Sequence, residues 1–349
     1  MKKILFTGGG SAGHVLPNVA LITEFLKTGE ADIVYMGTDA IEKQIIPPLH
    51  VPFVQISCPK LIRGGISSLA KNLSVPFALK RAIKEAEEKL KCISPDVVFS
   101  KGGYVALPVV FAARKLGIPC LTHESDFSPG LANKLIASKC EYVLTSFPET
   151  AKRFKNGKFS GSLIRKDLFT QDARSAKRKF GFADGKKVLL IFGGGSGSQK
   201  INAAVRKNVL PLTKEFDVLH ICGKGNKVET NVKNYRQEEY ISDMASAYAA
   251  ADVVLCRAGS NTVFELMALK KNAVLVPLEG QTRGDQLENA RYFEKKGLCK
   301  VLLEEALGDV VSIVKQAADD GDMKTALLIN RYENGTDNAL REIRKLLKK

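Results

Sequence analysis

At 349 residues the chain is long enough for two domains, each with a full core. Its 45% hydrophobic and 26% charged content suits a soluble globular protein, and it contains no apolar run of the roughly 18 residues that a spanning helix needs. Against 37 Asp and Glu stand 53 Lys and Arg, a formal charge of +16, which favours phosphorylated ligands or an anionic membrane surface. No nucleic-acid partner is expected, because there is no Trp, no basic–aromatic interleaving and no reader motif. The seven cysteines, Cys58, Cys92, Cys120, Cys140, Cys222, Cys256 and Cys299, lack CxxC spacing and read as reduced core thiols of a cytoplasmic protein. Lys2-Lys3 precede only a strand-length apolar run, so no signal peptide is expected at the N-terminus.

The first predicted strand is Ile4 to Thr7. It enters Gly8-Gly9-Gly10-Ser11-Ala12-Gly13-His14, followed by a helical run to Leu26. Gly8, Gly10 and Gly13 satisfy GxGxxG, the dinucleotide fingerprint. The acid that fingerprint expects after the second strand (Ile33 to Gly37) is only Asp39, somewhat late, and His14 and Pro17 at the helix start are not what a dinucleotide needs. The glycines still imply a tight turn that lets something approach closely. From Cys58 to Ala86 the chain is apolar but interrupted by Lys60, Arg63, Lys71, Lys80 and Arg81. Such a segment can dock on an anionic membrane; a pair of amphipathic helices covering the sheet explains it equally well.

Strands at Asp96 to Ser100 and Pro119 to Thr122 run into Lys101-Gly102-Gly103-Tyr104 and His123-Glu124-Ser125-Asp126. Ligands sit at the C-terminal ends of parallel strands, so Gly10 to His14, Gly102 to Tyr104 and His123 to Asp126 are expected to line one rim. Tyr142 to Thr145 is another strand, and Phe159 to Arg165 is the crossover to a second half. There the pattern restarts: Val188 to Phe192 enters Gly193-Gly194-Gly195-Ser196-Gly197-Ser198, echoing the chain's opening. Strands follow at Val218 to Cys222, Val253 to Cys256, Ala273 to Pro277 and Lys300 to Leu303, with helical segments between them. That alternation predicts a parallel sheet. The tail from Asn338 to Lys349 reads as a basic amphipathic helix.

The stretch Asp252 to Asn289 carries the clearest chemistry. A buried-strand run, Val253 to Cys256, is followed by Arg257-Ala258-Gly259-Ser260-Asn261-Thr262 and a helix through Glu265. Strand, small-residue turn and helix aim backbone N–H groups and a positive helix end at an anion. Ser260, Asn261 and Thr262 suit capping positions, and Glu265 falls in the first turn, where its carboxylate can face a ribose diol. With the polar loop Glu279 to Gln286, this reads as half of a nucleotide-sugar site. An ordinary strand–turn–helix unit has the same shape.

Together these segments resemble the glycosyltransferase-B architecture, and most closely the bacterial MurG-type family. The matching pieces are Gly8 to Pro17, Lys101 to Pro108, His123 to Lys134, Gly161 to Arg165, Gly193 to Asn202, Ile241 to Glu265 and Asp285 to Ala290, in the family's order over nearly the whole chain. The resemblance implies an α/β fold of two doubly wound Rossmann-like domains facing across a cleft. Residues 1–163 would form an acceptor- and membrane-facing domain and 164–335 a UDP-sugar-binding domain, with the helix at about 336–349 packing back onto the first.

It further implies an inverting transfer of N-acetylglucosamine from UDP-N-acetylglucosamine to undecaprenyl-diphosphate-linked N-acetylmuramoyl-pentapeptide, the lipid I to lipid II step of peptidoglycan synthesis. The enzyme would sit peripherally on the cytoplasmic face of the cell membrane. Ser11, Ala12 and Gly13 would adjoin the acceptor diphosphate or donor sugar, with His14 as general base. Gly102, Gly103, Tyr104, His123 and Glu124 would form the acceptor side, His123 being a rival base. Asp126, Arg165, Gly195, Ser196 and Gln286 would meet the donor, Ile241 the uracil through its backbone, Ser260 to Thr262 with Val263 and Phe264 the diphosphate, and Glu265 the ribose. Asp126 stands where the family usually has Asn, Gly195 where it has Ser, and Asp285 where His or Gln is common.

An imidazole titrating near neutrality suits the base. Helix N-termini and glycine-loop amides can stabilise a departing diphosphate. No metal and no cofactor are expected, since no carboxylate or His/Cys cluster has ligand spacing. Three other readings stay open: an NAD(P)-dependent oxidoreductase from the literal GxGxxG, a UDP-sugar epimerase or a transferase to a different lipid on the same fold, and a non-enzymatic nucleotide-sugar or membrane-binding protein.

Overall fold

The computed structural model describes residues 1–59, 74–183, 185–280 and 284–348. They fall into two compact units, Met1–Arg165 with Glu333–Lys349, and Lys166–Tyr332. The first holds a seven-stranded sheet. Its strands are β1 (Lys3–Thr7), β2 (Asp32–Gly37), β3 (Phe53–Gln55), β4 (Val97–Ser100), β5 (Cys120–Glu124), β6 (Tyr142–Thr145) and β7 (Gly157–Phe159), in the order β3-β2-β1-β4-β5-β6-β7. The second holds β8 (Lys187–Phe192), β9 (Phe216–Ile221), β10 (Tyr235–Glu238), β11 (Val253–Arg257), β12 (Asn272–Val276) and β13 (Lys300–Val301), in the order β10-β9-β8-β11-β12-β13. Each pairing is parallel. Both units are doubly wound, with the strand order reversing between β1 and β4 and between β8 and β11.

The strands read as continuous apolar runs because both faces of each sheet are covered. In the first unit Ile4, Phe6, Ile33, Tyr35, Val97 and Phe99 point to one face. Leu5, Val34, Met36 and Val98 point to the other. The first face is covered by helix α1 (Ala12–Thr28), through Val15, Val19, Leu21, Ile22 and Phe25. The C-terminal helix Gly335–Leu347 covers it too, burying Ala339, Leu340, Ile343, Leu346 and Leu347. Hydrogen bonds in both directions between the Thr336 hydroxyl and Ile164, at 3.0 and 2.8 Å, tie that helix to the end of the first stretch of the unit.

The opposite face takes helix Ala106–Lys115 and helix Val75–Ile93, the latter through Ala82, Ala86 and Leu90. The second half of the basic apolar segment is thus a helix on the sheet, while Lys60, Arg63 and Lys71 lie outside the described residues. Three strands absent from the sequence reading, β3, β7 and β10, are short edge strands, whose mixed composition carries no apolar run. None of the seven cysteines is in a disulfide; five are buried, Cys58 is partly so and Cys92 is exposed. Among the described residues no helix is long and apolar enough to cross a membrane.

Candidate active site

The first strand reversal places the turn after β1 beside the turn after β4. At Gly10 (φ 79°) a Cβ would stand 2.4 Å from the Tyr104 ring, and one at Gly103 (φ 77°) would stand 2.9 Å from the Gly9 carbonyl and 3.3 Å from His14 Nδ1. These glycines let the two turns touch. The structure therefore brings Gly8 to His14 together with Gly102 to Tyr104. Ser11 is exposed at the N-cap of α1, with extended backbone. Its hydroxyl meets the partly buried His14 ring at Nδ1, 2.9 Å away. A ring that gives its Nδ1 proton to Ser11 keeps its lone pair on Nε2.

The third part of the expected rim is corrected. His123 is fully buried, with Nε2 3.0 Å from the Gly161 carbonyl. Burial, and then the Lys101 charge, hold its pKa well below the ordinary imidazole value. It is thus withdrawn from solvent, unlike His14. Glu124 is buried too, and its carboxylate accepts the amides of Asp126 (3.0 Å) and Gly130 (2.7 Å) and the Asn133 side chain (2.9 Å). Glu124 thereby organises the turn after β5, since a buried polar group needs its partners inside the fold. Asp126, next along, is half-buried. Lys101, at the end of β4, is buried with Nζ 2.6 Å from Ser125 Oγ. Burial pulls its pKa down, against the pull of Glu124 and Asp126. Arg165 is half-buried just after Ile164.

In the second unit, Gly195 and Ser196 follow β8 and Ser260 to Glu265 follow β11, the two strands at the reversal. Helix Ser260–Ala268 starts from Gly259. Its first intrahelical bond runs from the Val263 amide to the Gly259 carbonyl, 3.0 Å, so the amides of residues 260–262 lie at the positive end of the helix. The N-cap position is Gly259, which has no side chain to cap with; Ser260, Asn261 and Thr262, expected at capping positions, are the first three residues of the helix itself. Val263 and Phe264 follow in the same helix, so any ligand contact they make is through the backbone. Both side chains are core residues, Phe264 packing edge-on to Phe293 at 5.2 Å. Glu265 sits in the second turn, not the first, with Oε2 accepting the Tyr248 hydroxyl at 2.8 Å.

Gly194, Gly195 and Ser196 are exposed, and a Cβ at Gly194, Gly195 or Gly259 would meet nothing within 4 Å. The turn after β8 thus leaves open space where the first unit's turn is packed. Ile241 is half-buried in the stretch between β10 and helix Met244–Ala250. Gln286, second residue of helix Asp285–Glu294, accepts the Leu278 amide at 3.0 Å and so fixes the segment that follows β12. Residues 281–283 of that loop lie outside the described set.

Beneath the open turn runs a buried frame absent from the sequence reading. Arg257 donates to Ser198 Oγ (2.8 Å) and to the carbonyls of Val276 (3.3 Å) and Pro277 (3.2 Å), and pairs with Glu304 at 2.6 Å. Lys200 reaches the other Glu304 oxygen. A charge directly after a buried strand, as in Val253 to Arg257, was the available signal; Glu304 had none. His220, on β9, lies between the Tyr235 hydroxyl (2.8 Å) and Asn202 Oδ1 (2.9 Å). Asn202 in turn donates to the Cys222 carbonyl at 2.9 Å. Among the described residues no three His, Cys, Asp or Glu form a metal-holding group.

Two family models cover this frame: the glycosyltransferase family 28 N-terminal domain matches residues 4–145 and the family 28 C-terminal domain matches residues 188–346. The chain is 42% identical over 353 residues to the UDP-N-acetylglucosamine--N-acetylmuramyl-(pentapeptide) pyrophosphoryl-undecaprenol N-acetylglucosamine transferase of Clostridium perfringens (strain SM101 / Type A), covering 98% of each chain. The transferase of the same name from Clostridium botulinum (strain 657 / Type Ba4) is also 42% identical, over 100% of this chain and 99% of the relative. Among solved structures, MurG of Acinetobacter baumannii superposes with a TM-score of 0.75 at 25% identity, over 99% of this chain and 100% of that one. The calicheamicin glycosyltransferase CalG4 shares the fold, with a TM-score of 0.72 at 15% identity over 100% of this chain and 99% of that one.

Burial lowers the His220 pKa from 6.5 to about 4. The unfolded chain then binds the proton more readily, so this contribution to stability is complete above pH 6.5 and is lost as pH falls toward 4. The unfolding free energy from urea titrations is expected to drop across that window, by at most about 3 kcal/mol from this ring. Replacing His220 with Gln should flatten the profile; an equally steep one would remove His220 as its cause.

Proposed function

The chain belongs to glycosyltransferase family 28, and from that premise we propose how its residues divide the reaction. It is a hexosyltransferase that moves N-acetylglucosamine from UDP-N-acetylglucosamine to N-acetylmuramyl-(pentapeptide) pyrophosphoryl-undecaprenol, the activity of its clostridial relatives. The acceptor hydroxyl attacks the anomeric carbon of the donor sugar, the bond to the diphosphate breaks, and configuration inverts. His14 takes the hydroxyl proton on Nε2, with Ser11 holding Nδ1 at 2.9 Å. The departing UDP keeps the electron pair of the broken bond.

The observation that carries the donor half is the glycine-led start of helix Ser260–Ala268, on the strand next to the one that enters the open turn at Gly194 to Ser196. A roughly half-unit positive charge at that end stabilises the diphosphate as it leaves. Glu265, fixed by Tyr248, accepts hydrogen bonds from the ribose hydroxyls. Ile241 meets the uracil through its backbone. Asp126, Arg165 and Gln286 contact the donor, and Ser11, Ala12, Gly13, Gly102, Gly103 and Tyr104 face the lipid acceptor.

Membrane attachment is peripheral, at the cytoplasmic face, where seven unpaired thiols are at home. Helix Val75–Ile93 supports the docking surface. Phe77 is 74% exposed, and Lys80, Arg81 and Lys84 are exposed at helical spacing from it. The four share one side, opposite the Ala82, Ala86 and Leu90 that face the sheet. An aromatic with three cations suits an anionic lipid surface.

Three measurements test these assignments. Replacing His14 with Ala should lower kcat by roughly 10²–10⁴ with UDP affinity unchanged; near-normal turnover would remove His14 from the base role. Glu265→Ala should raise the UDP dissociation constant by about tenfold or more, the worth of a charge-assisted hydrogen bond, and an unchanged constant refutes the ribose contact. Co-sedimentation with anionic vesicles should weaken as salt rises and in the double variant Lys80→Glu, Arg81→Glu. Binding indifferent to both would sink the docking surface.

A further inference from the structure

Glu42 opens the short helix α2 (Glu42–Ile45) and is fully buried. Nothing in the chemistry above uses it. Its carboxylate accepts the Gly10 amide on Oε2 at 3.0 Å, and the Thr38 amide and hydroxyl on Oε1 at 2.9 and 2.6 Å. It is pressed against the glycine turn so closely that a Cβ at Gly9 would lie 2.3 Å from Oε1, and one at Gly37 would lie 2.8 Å from Cγ. The turn is held from its other side as well. The Tyr35 hydroxyl donates to the Gly8 carbonyl at 2.6 Å, and the Asn18 amide to the Thr7 carbonyl at 3.1 Å.

In a dinucleotide-binding sheet, the glycine turn after the first strand spends its amides on a pyrophosphate. Here one of those amides is spent on a carboxylate from the same chain, 32 residues further on. We propose that Glu42 is the turn's resident anion, a positioning residue that keeps the Gly8–Gly10 backbone in its loaded shape so that Ser11 and His14 are set before any substrate arrives. The line of force is short: Glu42 holds Gly10, the next residue is Ser11, and Ser11 holds the His14 ring. The same contact accounts for a GxGxxG that takes no dinucleotide. The acceptor's phosphates are left the helix end beyond it, not the turn itself. This inference rests on the reading of His14 as base, and the experiment separates the two.

The test uses the full chain, labelled N-acetylglucosamine transfer to a short-chain lipid acceptor, and UDP titration. Glu42→Ala should lower kcat by roughly ten- to a hundredfold, the cost of a misplaced catalytic group, without changing the UDP dissociation constant. Added formate, which fits the vacated space, should restore part of that kcat and leave wild type unaffected. Combined with His14→Ala, the loss should be far less than the product of the single losses, because both act through one ring. Unaltered kcat, or a loss that formate does not touch, overturns the proposal. If Glu42→Ala fails to fold, Glu42→Gln decides: it keeps the shape but removes the charge and turns one of the two acceptor oxygens into a donor, so the Gly10 and Thr38 amides are no longer both accepted; a lowered kcat at unchanged UDP affinity supports the idea and native kcat ends it. Should His14→Ala alone retain turnover, the base assignment fails, while the formate response of Glu42→Ala still reports on the turn.

Discussion

Backbone amides at the C-terminal ends of parallel strands have to be given an anion, and this chain answers that demand twice in different ways. Each sheet reverses its strand order once, between β1 and β4 and between β8 and β11. At such a point neighbouring helices leave on opposite faces and the turns above the strands are not covered by a crossover. In the first unit the turn closes on Glu42. In the second, the turn at Gly194 to Ser196 stays open beside the start of helix Ser260–Ala268. The shared strand–glycine–helix opening thus yields a packed turn that leads to His14 in one unit and an open turn in the other.

Holding these turns still requires charge in places where charge is expensive. Arg257 and Glu304, Lys101 beneath Glu124 and Asp126, and Glu42 under the glycines are all buried or nearly so. Buried ion pairs add little net stability, but removing one partner is strongly destabilising. They therefore fix position more than they strengthen the fold. Arg257 joins the ends of β11 and β12 to Ser198, which caps the helix after the open turn. The open turn and the sheet are cross-linked at that point, and the proposed stabilisation of a leaving group asks for such preorganisation.

The two rings His123 and His14 show how burial assigns chemistry. Both lie toward the C-terminal edge of the sheet, His123 near the end of β5 and His14 in the first turn of α1. One is sealed against the Gly161 carbonyl with its pKa pushed far down. The other is partly exposed at a helix start, with a hydroxyl on one nitrogen. Both rings stand at this edge in the sequence reading, and solvent access is what tells them apart.

Most of the architecture was legible in the chain itself. The central strands announce themselves because a strand covered on both faces must be apolar throughout, as in Ile4 to Phe6 or Val253 to Cys256. The glycine turns announce themselves because only glycine allows such close approach. The edge strands β3, β7 and β10 did not, since half their surface meets solvent and their composition is ordinary. Neither did the roles of Glu124, Val263 and Phe264, whose places in a motif say nothing of which way a side chain points. Tertiary structure alone decided that Glu42 would meet Gly10, 32 positions away, and that Glu304 would meet Arg257; the return of the last helix to the first core was implied by the family resemblance, not by any local pattern. Sequence records what each residue can do with its near neighbours; partners brought together by the winding of a sheet are set by packing, and packing leaves no local mark.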